Sequence, residues 1–303
     1  MTSNKDLSLK KIGVFYDGNY FLHVSNFYNY FHERKSRISI SGLHHFIRHH
    51  IAQSEGMDVR FCQIVDAHYF RGRLTASEAS RNGNALYYDR LFDDILGSEG
   101  VTTHYLPVKT VQGGRHQEKG IDVWLALEAF ELAFYKKFDV LVLIASDGDY
   151  VPLIRKLNTL GIRVMILSWD FVYTNDYGRE VTTRTSQDLL EEVTYPVAMH
   201  EIIDNRLRRN EPLINNLFVP QNRRRMFEEG IRRSAEGEEQ TSTIMALKNG
   251  FGFIKWPPNN LFFHHENLED VDFNDLNVDD RVHFVISKGD RGEDVAVNVR
   301  LAE

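Results

Sequence analysis

Short apolar runs alternate with longer stretches of helical periodicity along the first two hundred positions of the chain. Lys11–Tyr16 (KIGVFY) is apolar and stops abruptly at Asp-Gly-Asn, the pattern of a buried strand that delivers Asp17 to its C-terminal edge. The YFLHVSNFYNYF stretch that follows reads as a helix, Ser41 and Gly42 open a second (LHHFIRHHIAQ), and Asp58–Ala67 (DVRFCQIVDA) returns to β-prone composition. Asn84–Leu96 spaces Leu86, Leu91 and Ile95 helically, and Gly100 leads into the strand VTTHYL. Residues 121–135 (IDVWLALEAFELAFY) set Val123, Leu127 and Phe130 near one helical face. Asp139–Ala145 (DVLVLIA) is the most apolar strand, and Tyr150–Leu160 is a helix that Gly161 caps before RVMILSW.

Near-continuous apolar strands alternating with helices of ten or more residues predict a parallel sheet covered on both faces, an α/β domain over residues 8–205. In such sheets ligands bind beyond the carboxyl ends of the strands. Residues 206–240 dissolve into arginine, asparagine and glutamate and read as a polar linker or exposed helix. From 241 to 303 the pattern changes to five short β-prone runs (STIMAL, FGFIKW, NLFFHH, RVHFVIS, DVAVNVR) separated by Gly, Pro, Asn and Asp, which predicts a small barrel.

Composition sharpens the picture in two respects. Hydrophobic residues at 42% and charged residues at 26% exclude a disordered or fibrous chain. No run reaches the ~18 apolar residues of a membrane span, and the N-terminal MTSNKDLSLKK lacks the apolar centre of a signal peptide, so a cytoplasmic protein with no membrane partner is expected. The lone Cys62 sits in an apolar run and reads as a buried thiol. A net charge of −7 argues mildly against a nucleic-acid partner, but arginine concentrates between 206 and 233 while acids dominate 266–280, so binding would use local surface.

Asp17, Asp147 and Asp149 follow predicted strands, and Asp122 opens the helix of KGIDVWLA. Aspartates after strands are commonly turn formers and caps. Four converging carboxylates, however, would repel one another by several kcal/mol at low effective dielectric unless a divalent cation neutralised them, and oxygen donors point to Mg2+ or Mn2+. YDGNYF at 16–21, KGIDVWLALEAFELA at 119–133 and VLIASDGDYVPLIRKLNTLGIRVMIL at 142–167 together resemble the NYN domain, the PIN-like ribonuclease family that includes LabA-type proteins. The resemblance spans roughly residues 10–200. It implies a metal-dependent phosphodiesterase in which Asp17, Asp122, Asp147 and Asp149 hold the cation, Asn19 assists, and water is the nucleophile. Lys119 would contact the scissile phosphate or be a solvated helix-start lysine. Two departures stand out: Ala145-Ser146-Asp147 replaces the usual Ser-Gly-Asp, and Tyr150 replaces a phenylalanine, which reads as core.

His44, His45, His49 and His50 have the spacing of a metal site on a helix but no HExxH pattern, and read as a polar face. Arg71 and Arg73 follow the second strand at the substrate edge, where either binds phosphate or is solvated. In the C-terminal region, KNGFGFI (248–254) and LFFHH (261–265) place Phe251 with Phe253, and Phe262 with His264, at a spacing of two. Flanked by Lys248 and Lys255, these rings form either a base-stacking platform or a buried aromatic face. The motifs resemble the two RNA-binding motifs of the cold-shock domain, an OB-fold barrel, over residues 241–303. Ile244 stands where that family has a stacking tryptophan, Ala246 where it has asparagine and Asn249 where it has lysine, and Trp256 is a candidate replacement. Together these readings predict an endoribonuclease acting on single-stranded RNA, with single-stranded DNA a second candidate substrate. The competing classes are a non-catalytic RNA-binding regulator and a nucleotide hydrolase, the latter without a Walker-type loop.

Overall fold

The computed structural model describes residues 8–80, 85–111, 115–117, 119–174, 178–220, 239–248, 250–257, 260–268, 273–288 and 294–302. The chain divides into two compact units between Pro220 and Gln221. In the first unit, strand β1 (Lys10–Asp17) feeds directly into α1 (Gly18–Tyr30), because the Asp17 carboxylate accepts the Asn19 and Tyr20 amides and caps the helix. Helix α2 (Ile40–Glu55), strand β2 (Cys62–Arg73), the short α3 (Ala76–Ala79), α4 (Ala85–Ser98) and β3 (Thr102–Pro107) follow. A small hairpin, β4 (Lys109–Val111) and β5 (Arg115–Gln117), precedes α5 (Ile121–Lys136). Then come β6 (Val140–Ile144), α6 (Val151–Thr159), β7 (Arg163–Ser168) and a second hairpin, β8 (Phe171–Thr174) and β9 (Glu180–Thr183). Helix α7 (Gln187–Glu192), strand β10 (Tyr195–Ala198), α8 (Met199–Asp204) and α9 (Pro212–Asn215) complete the unit.

Six strands form one parallel sheet in the order β10-β7-β6-β1-β2-β3. Alternation along β1 builds two cores. Ile12, Val14 and Tyr16 pack with Phe21, Val24, Leu43 and Phe46 of α1 and α2, whereas Phe15 packs with Leu125 and Ala129 of α5 and Ile154 of α6. Strand order reverses at β1: the chain moves from β1 through β2 to β3, then returns to place β6 on the opposite side. That reversal opens a crevice at the carboxyl ends of β1 and β6. Cys62 is buried at the start of β2, and burial raises its thiol pKa. Among the described residues no helix is long and apolar enough to cross a membrane.

Two local differences from the sequence reading have simple causes. Helix α2 is capped by Ser39, whose hydroxyl accepts the Gly42 amide, two residues before the expected opening at Ser41. Gly42 has a different job: a Cβ there would lie 1.7 Å from the Asn216 carbonyl oxygen. Residues 206–220, read as part of a polar linker or exposed helix, belong to the first unit, because the apolar Ile214, Leu217 and Phe218 are buried and Ser39 donates its amide to the Leu217 carbonyl at 2.8 Å. Residues 221–238, which hold most of the expected linker, lie outside the described residues. Helix α5 buries Ile121, Leu125, Ala129 and Ala133 against the sheet, and Val123, Leu127 and Phe130 share the opposite face, as their spacing predicts. The two alanines let the helix axis approach closely, so the bulkier stripe faces outward.

The four histidines of α2 do not form one group. His45 and His49 meet at a tilt with ring centroids 4.1 Å apart, His50 stacks on Phe46, and His44 lies against Tyr16. Burial pushes the His44 imidazole down to about 4, and its Nε2 is buried without a hydrogen-bond partner. The unfolded chain binds that proton near 6.5 and the folded chain does not. Stability is therefore complete above pH 6.5 and declines by up to about 3 kcal/mol as pH falls toward 4. Urea titrations between pH 7 and 4 are expected to show this loss, with a flatter profile for His44→Gln; an unchanged slope in the variant would remove His44 as its source.

The second unit is a closed barrel of β11 (Gln240–Lys248), β12 (Phe251–Ile254), β13 (Leu261–His264), β14 (Arg281–Lys288) and β15 (Asp294–Leu301), in the order β11-β12-β13-β15-β14. Ile244, Ile254, Leu261, Phe263, Val282, Phe284, Ala296 and Val299 fill it. An α/β domain followed by a five-stranded barrel is the architecture the hydrophobic pattern predicts.

Candidate active site and nucleic-acid-binding face

The crevice between β1 and β6 is lined by acids because each strand ends on one. Asp17 closes β1, and Asp147 follows β6 by three residues; the strands run in register, Tyr16 beside Ile144. Gly18 is required at the turn, since a Cβ there would meet the Tyr69 ring at 2.5 Å and the Phe70 carbonyl at 2.6 Å. Asp147 caps a 3-10 turn by accepting the Asp149 amide at 3.0 Å, leaving both carboxylates exposed. Asp122 lies exposed in the first turn of α5, where the helix dipole favours a negative charge.

Tyr150 bridges two of them, Asp17 and Asp122. Its buried hydroxyl donates to Asp122 Oδ1 at 3.0 Å and lies 3.5 Å from Asp17 Oδ2. Burial and the neighbouring Asp17, Asp122 and Asp147 charges push this phenol far above the ordinary tyrosine range, so it remains a proton donor at any physiological pH. The residue read from sequence as core is buried as expected, and its hydroxyl also bridges Asp17 and Asp122. Its signal was present in the sequence: a hydroxyl just after two acids, Asp147 and Asp149, at a strand end has a polar partner to find.

Asn19 is exposed on the first turn of α1, its amide bonded to Asp17, and Lys119 is exposed just before α5. Arg71 and Arg73 are committed elsewhere. Arg71 pairs with Asp89 at 3.3 Å and ties β2 to α4, and Arg73 pairs with Asp93 at 3.0 Å while covering the Tyr105 ring, so it ties β2 to both α4 and β3. Asp17, Asp122, Asp147, Asp149 and Asn19 are the oxygen donors at this edge, and oxygen donors suit a hard divalent cation. Among the described residues, however, no three His, Cys, Asp or Glu side chains are gathered closely enough to surround a metal ion.

On the barrel, strand alternation decides the second face. Gly252, Ile254, Leu261 and Phe263 point inward, and Phe251, Phe253, Phe262 and His264 are half-buried on the outside. Cross-strand pairing sets Phe251 beside His264 and Phe253 beside Phe262, with phenyl centroids 5.6–6.0 Å apart, a continuous aromatic surface. Lys248 is exposed at its edge, paired in register with Phe251. Gly252 makes room for the Phe263 ring inside the barrel, not for a ligand outside it. Trp256 leaves this face: its indole packs edge-on against the buried Phe284. Ile244 is fully buried and cannot stack on a base. Asn249 lies outside the described residues.

The model of the NYN domain matches residues 11–191, and that of the 'cold-shock' DNA-binding domain matches residues 240–302. Comparison with curated proteins finds no match. Among solved structures, a Vibrio parahaemolyticus protein of unknown function is similar at 18% identity and a TM-score of 0.40, over 65% of this chain and 96% of that one. Glycyrrhiza uralensis UGT73P12 complexed with glycyrrhetinic acid 3-O-monoglucuronide is similar at 12% identity and a TM-score of 0.23, over 87% of this chain and 38% of that one. Likeness at these values identifies neither fold nor function. The family matches coincide with the acid-lined crevice and the aromatic barrel face, and the chain belongs to the NYN domain family of PIN-like nucleases, with a cold-shock nucleic-acid-binding domain at its C-terminal end.

Proposed function

We propose that the chain is a metal-dependent endoribonuclease that hydrolyses phosphodiester bonds of single-stranded RNA, with the barrel recruiting the substrate. The observation that carries this reading is the set of acids at the β1–β6 crevice, of which Asp17 and Asp122 are bridged by the Tyr150 hydroxyl. Mg2+ or Mn2+, when bound, supplies charge neutralisation for the phosphate and a more acidic water. Asp17, Asp122, Asp147 and Asp149 are the residues that would hold it, with Asn19 as a neutral donor. Tyr150 keeps Asp17 and Asp122 oriented toward the crevice. Lys119, exposed beside Asp122, is the group best situated to meet a substrate phosphate.

On the barrel, bases stack on Phe251, Phe253, Phe262 and His264, and Lys248 meets the backbone. Phe253→Ala is expected to weaken binding of a single-stranded oligoribonucleotide by about 1–3 kcal/mol, about 5- to 150-fold in Kd by fluorescence anisotropy. Trp256→Phe, a change on the core side, is expected to leave binding within about twofold.

The deciding assay incubates the full chain with end-labelled single-stranded RNA in Mn2+ or Mg2+ and in chelator, with DNA, duplex RNA and free nucleotides in parallel. Metal-dependent internal cuts in the single-stranded RNA support the proposal. Binding without cleavage under every condition would point instead to a non-catalytic RNA-binding regulator, a reading favoured by the spacing of the acids, which are not gathered at ligand distance.

A further inference from the structure

Between β9 and α7 the chain crosses the carboxyl edge of the sheet. Phe171 of β8 packs in the core shared with α1, whereas Leu189 of α7 packs in the core on the opposite face, so the residues between the hairpin and α7 pass over the strand ends. Three of them are tied down on the way. Thr183 Oγ1 lies 2.9 Å from Nε2 of His23, one turn along α1 from Asn19. The Thr185 amide and hydroxyl both donate to Asp170 Oδ1, at 2.9 and 3.0 Å, and Asp170 follows the end of β7 by two residues. The Ser186 amide donates to the Ser146 carbonyl at 2.9 Å, and the Ser186 hydroxyl oxygen lies 2.9 Å from where a Gly148 Cβ would be. The segment is thus moored to the turn that carries Asp147 and Asp149.

Arg184 stands between the moored Thr183 and Thr185 and is exposed. Among the described residues its guanidinium makes no ion pair or hydrogen bond, whereas Arg71, Arg73, Arg155 and Arg163 of the same unit each hold a carboxylate. A fixed backbone with an uncommitted tip limits where the charge can reach and leaves it open to a ligand. The guanidinium stays charged at any physiological pH, and its flat fork of donors matches two oxygens of one phosphate. Positive charge is also what this place needs. A nucleic-acid strand brings one negative charge per nucleotide toward Asp17, Asp122, Asp147 and Asp149. A cation among those acids neutralises the phosphate it touches, and the neighbouring phosphate still faces the carboxylates.

We propose that Arg184 binds a backbone phosphate of the single-stranded RNA at the crevice, next to the bond that is cut; the assignment rests on the nuclease reading above. Two measurements on the full chain tell the two apart. The first is binding of a single-stranded oligoribonucleotide by fluorescence anisotropy across a salt series, each protein carrying Asp147→Asn so that the strand stays whole. Arg184→Ala is expected to raise Kd about tenfold and to reduce the slope of log K against log salt by about 0.7, the loss of one phosphate contact on a single strand. Arg184→Lys is expected to keep the slope. Arg60→Ala removes the same charge just before β2, at the opposite, amino edge of the sheet, and is expected to leave the slope unchanged. The second measurement is cleavage in Mn2+ with Asp147 in place, where Arg184→Ala is expected to raise KM about tenfold with kcat within about threefold. An unchanged slope in Arg184→Ala, or an equal loss in Arg60→Ala, overturns the assignment whether or not the strand is cut. A wild type that cleaves with the same KM as Arg184→Ala overturns it as well. A wild type that cuts nothing, with the slope still reduced in Arg184→Ala, removes the nuclease reading and upholds the phosphate contact.

Discussion

Asp147→Asn is expected to reduce metal-dependent RNA cleavage by about 10²–10⁴-fold while leaving the fold unchanged, the range expected when several kcal/mol of charge stabilisation is lost. The substitution separates two roles of one side chain. As a cap, the Asp147 carboxylate accepts the Asp149 amide at 3.0 Å, and an asparagine carbonyl accepts it equally well. As an exposed anion at the crevice, it cannot be replaced by a neutral amide. The measurement is the initial rate of cleavage of labelled RNA in Mn2+, with the thermal midpoint and the oligoribonucleotide Kd of both proteins recorded alongside. Loss of rate with both retained places the effect in the chemistry. A variant that cleaves as fast as the wild type removes Asp147 from the catalytic set, and with it the metal-ligand reading of the 147–149 turn.

The largest expected effect on stability comes from one methyl group at Gly42. A Cβ at this position would sit 1.7 Å from the Asn216 carbonyl oxygen and 2.6 Å from its carbonyl carbon. Both are backbone atoms, and the segment that carries them is pinned by the Ser39 amide bonded to Leu217 and the Val219 amide bonded to Arg37. Neither α2 nor the 214–219 segment can yield without breaking those bonds. Gly42→Ala is therefore expected to cost about 3 kcal/mol, the upper end of ordinary overpacking, and to lower the thermal midpoint of the first unit by about 6–12 °C. Gly97→Ala is the contrasting case. Gly97 lies in α4 with nothing within 4 Å of its would-be Cβ, so alanine is expected to be neutral or stabilising by up to about 1 kcal/mol. Equal effects of the two substitutions would show that the close approach of α2 to Asn216 contributes nothing.

What could be read from the sequence divides along physical lines. Buried parallel strands such as Val140–Ile144 announce themselves as unbroken apolar runs, and the barrel strands as alternation, since burial on two faces or one is written directly into the residue pattern. The acids at strand ends were legible for the same reason: Asp17 and Asp147 come where an apolar run stops. Less legible was anything decided by contact between distant segments. Arg71 looked available for phosphate because Asp89, its partner, is 18 positions away on a different element. The outward turn of Val123 and Leu127 depended on which of two apolar faces of α5 the sheet accepts. Trp256 was misplaced because its neighbour is Phe284, not the phenylalanines beside it in sequence. Periodicity reports which residues share a face, but not what that face meets.

The phenol between Asp17 and Asp122 bears on how this protein could be made in a cell. Grouped carboxylates ordinarily make a domain hostage to its ion, because mutual repulsion opposes folding until the ion arrives. Here a proton held on a buried oxygen, supplied by the chain itself, offsets part of that repulsion. Under the metal-dependent chemistry proposed above, folding and loading would be separate events: the polypeptide would reach its final shape with no cation to hand and gain activity only once the ion binds. A thermal midpoint that hardly moves on addition of chelator, in a protein whose RNA cleavage stops, is the behaviour this arrangement predicts.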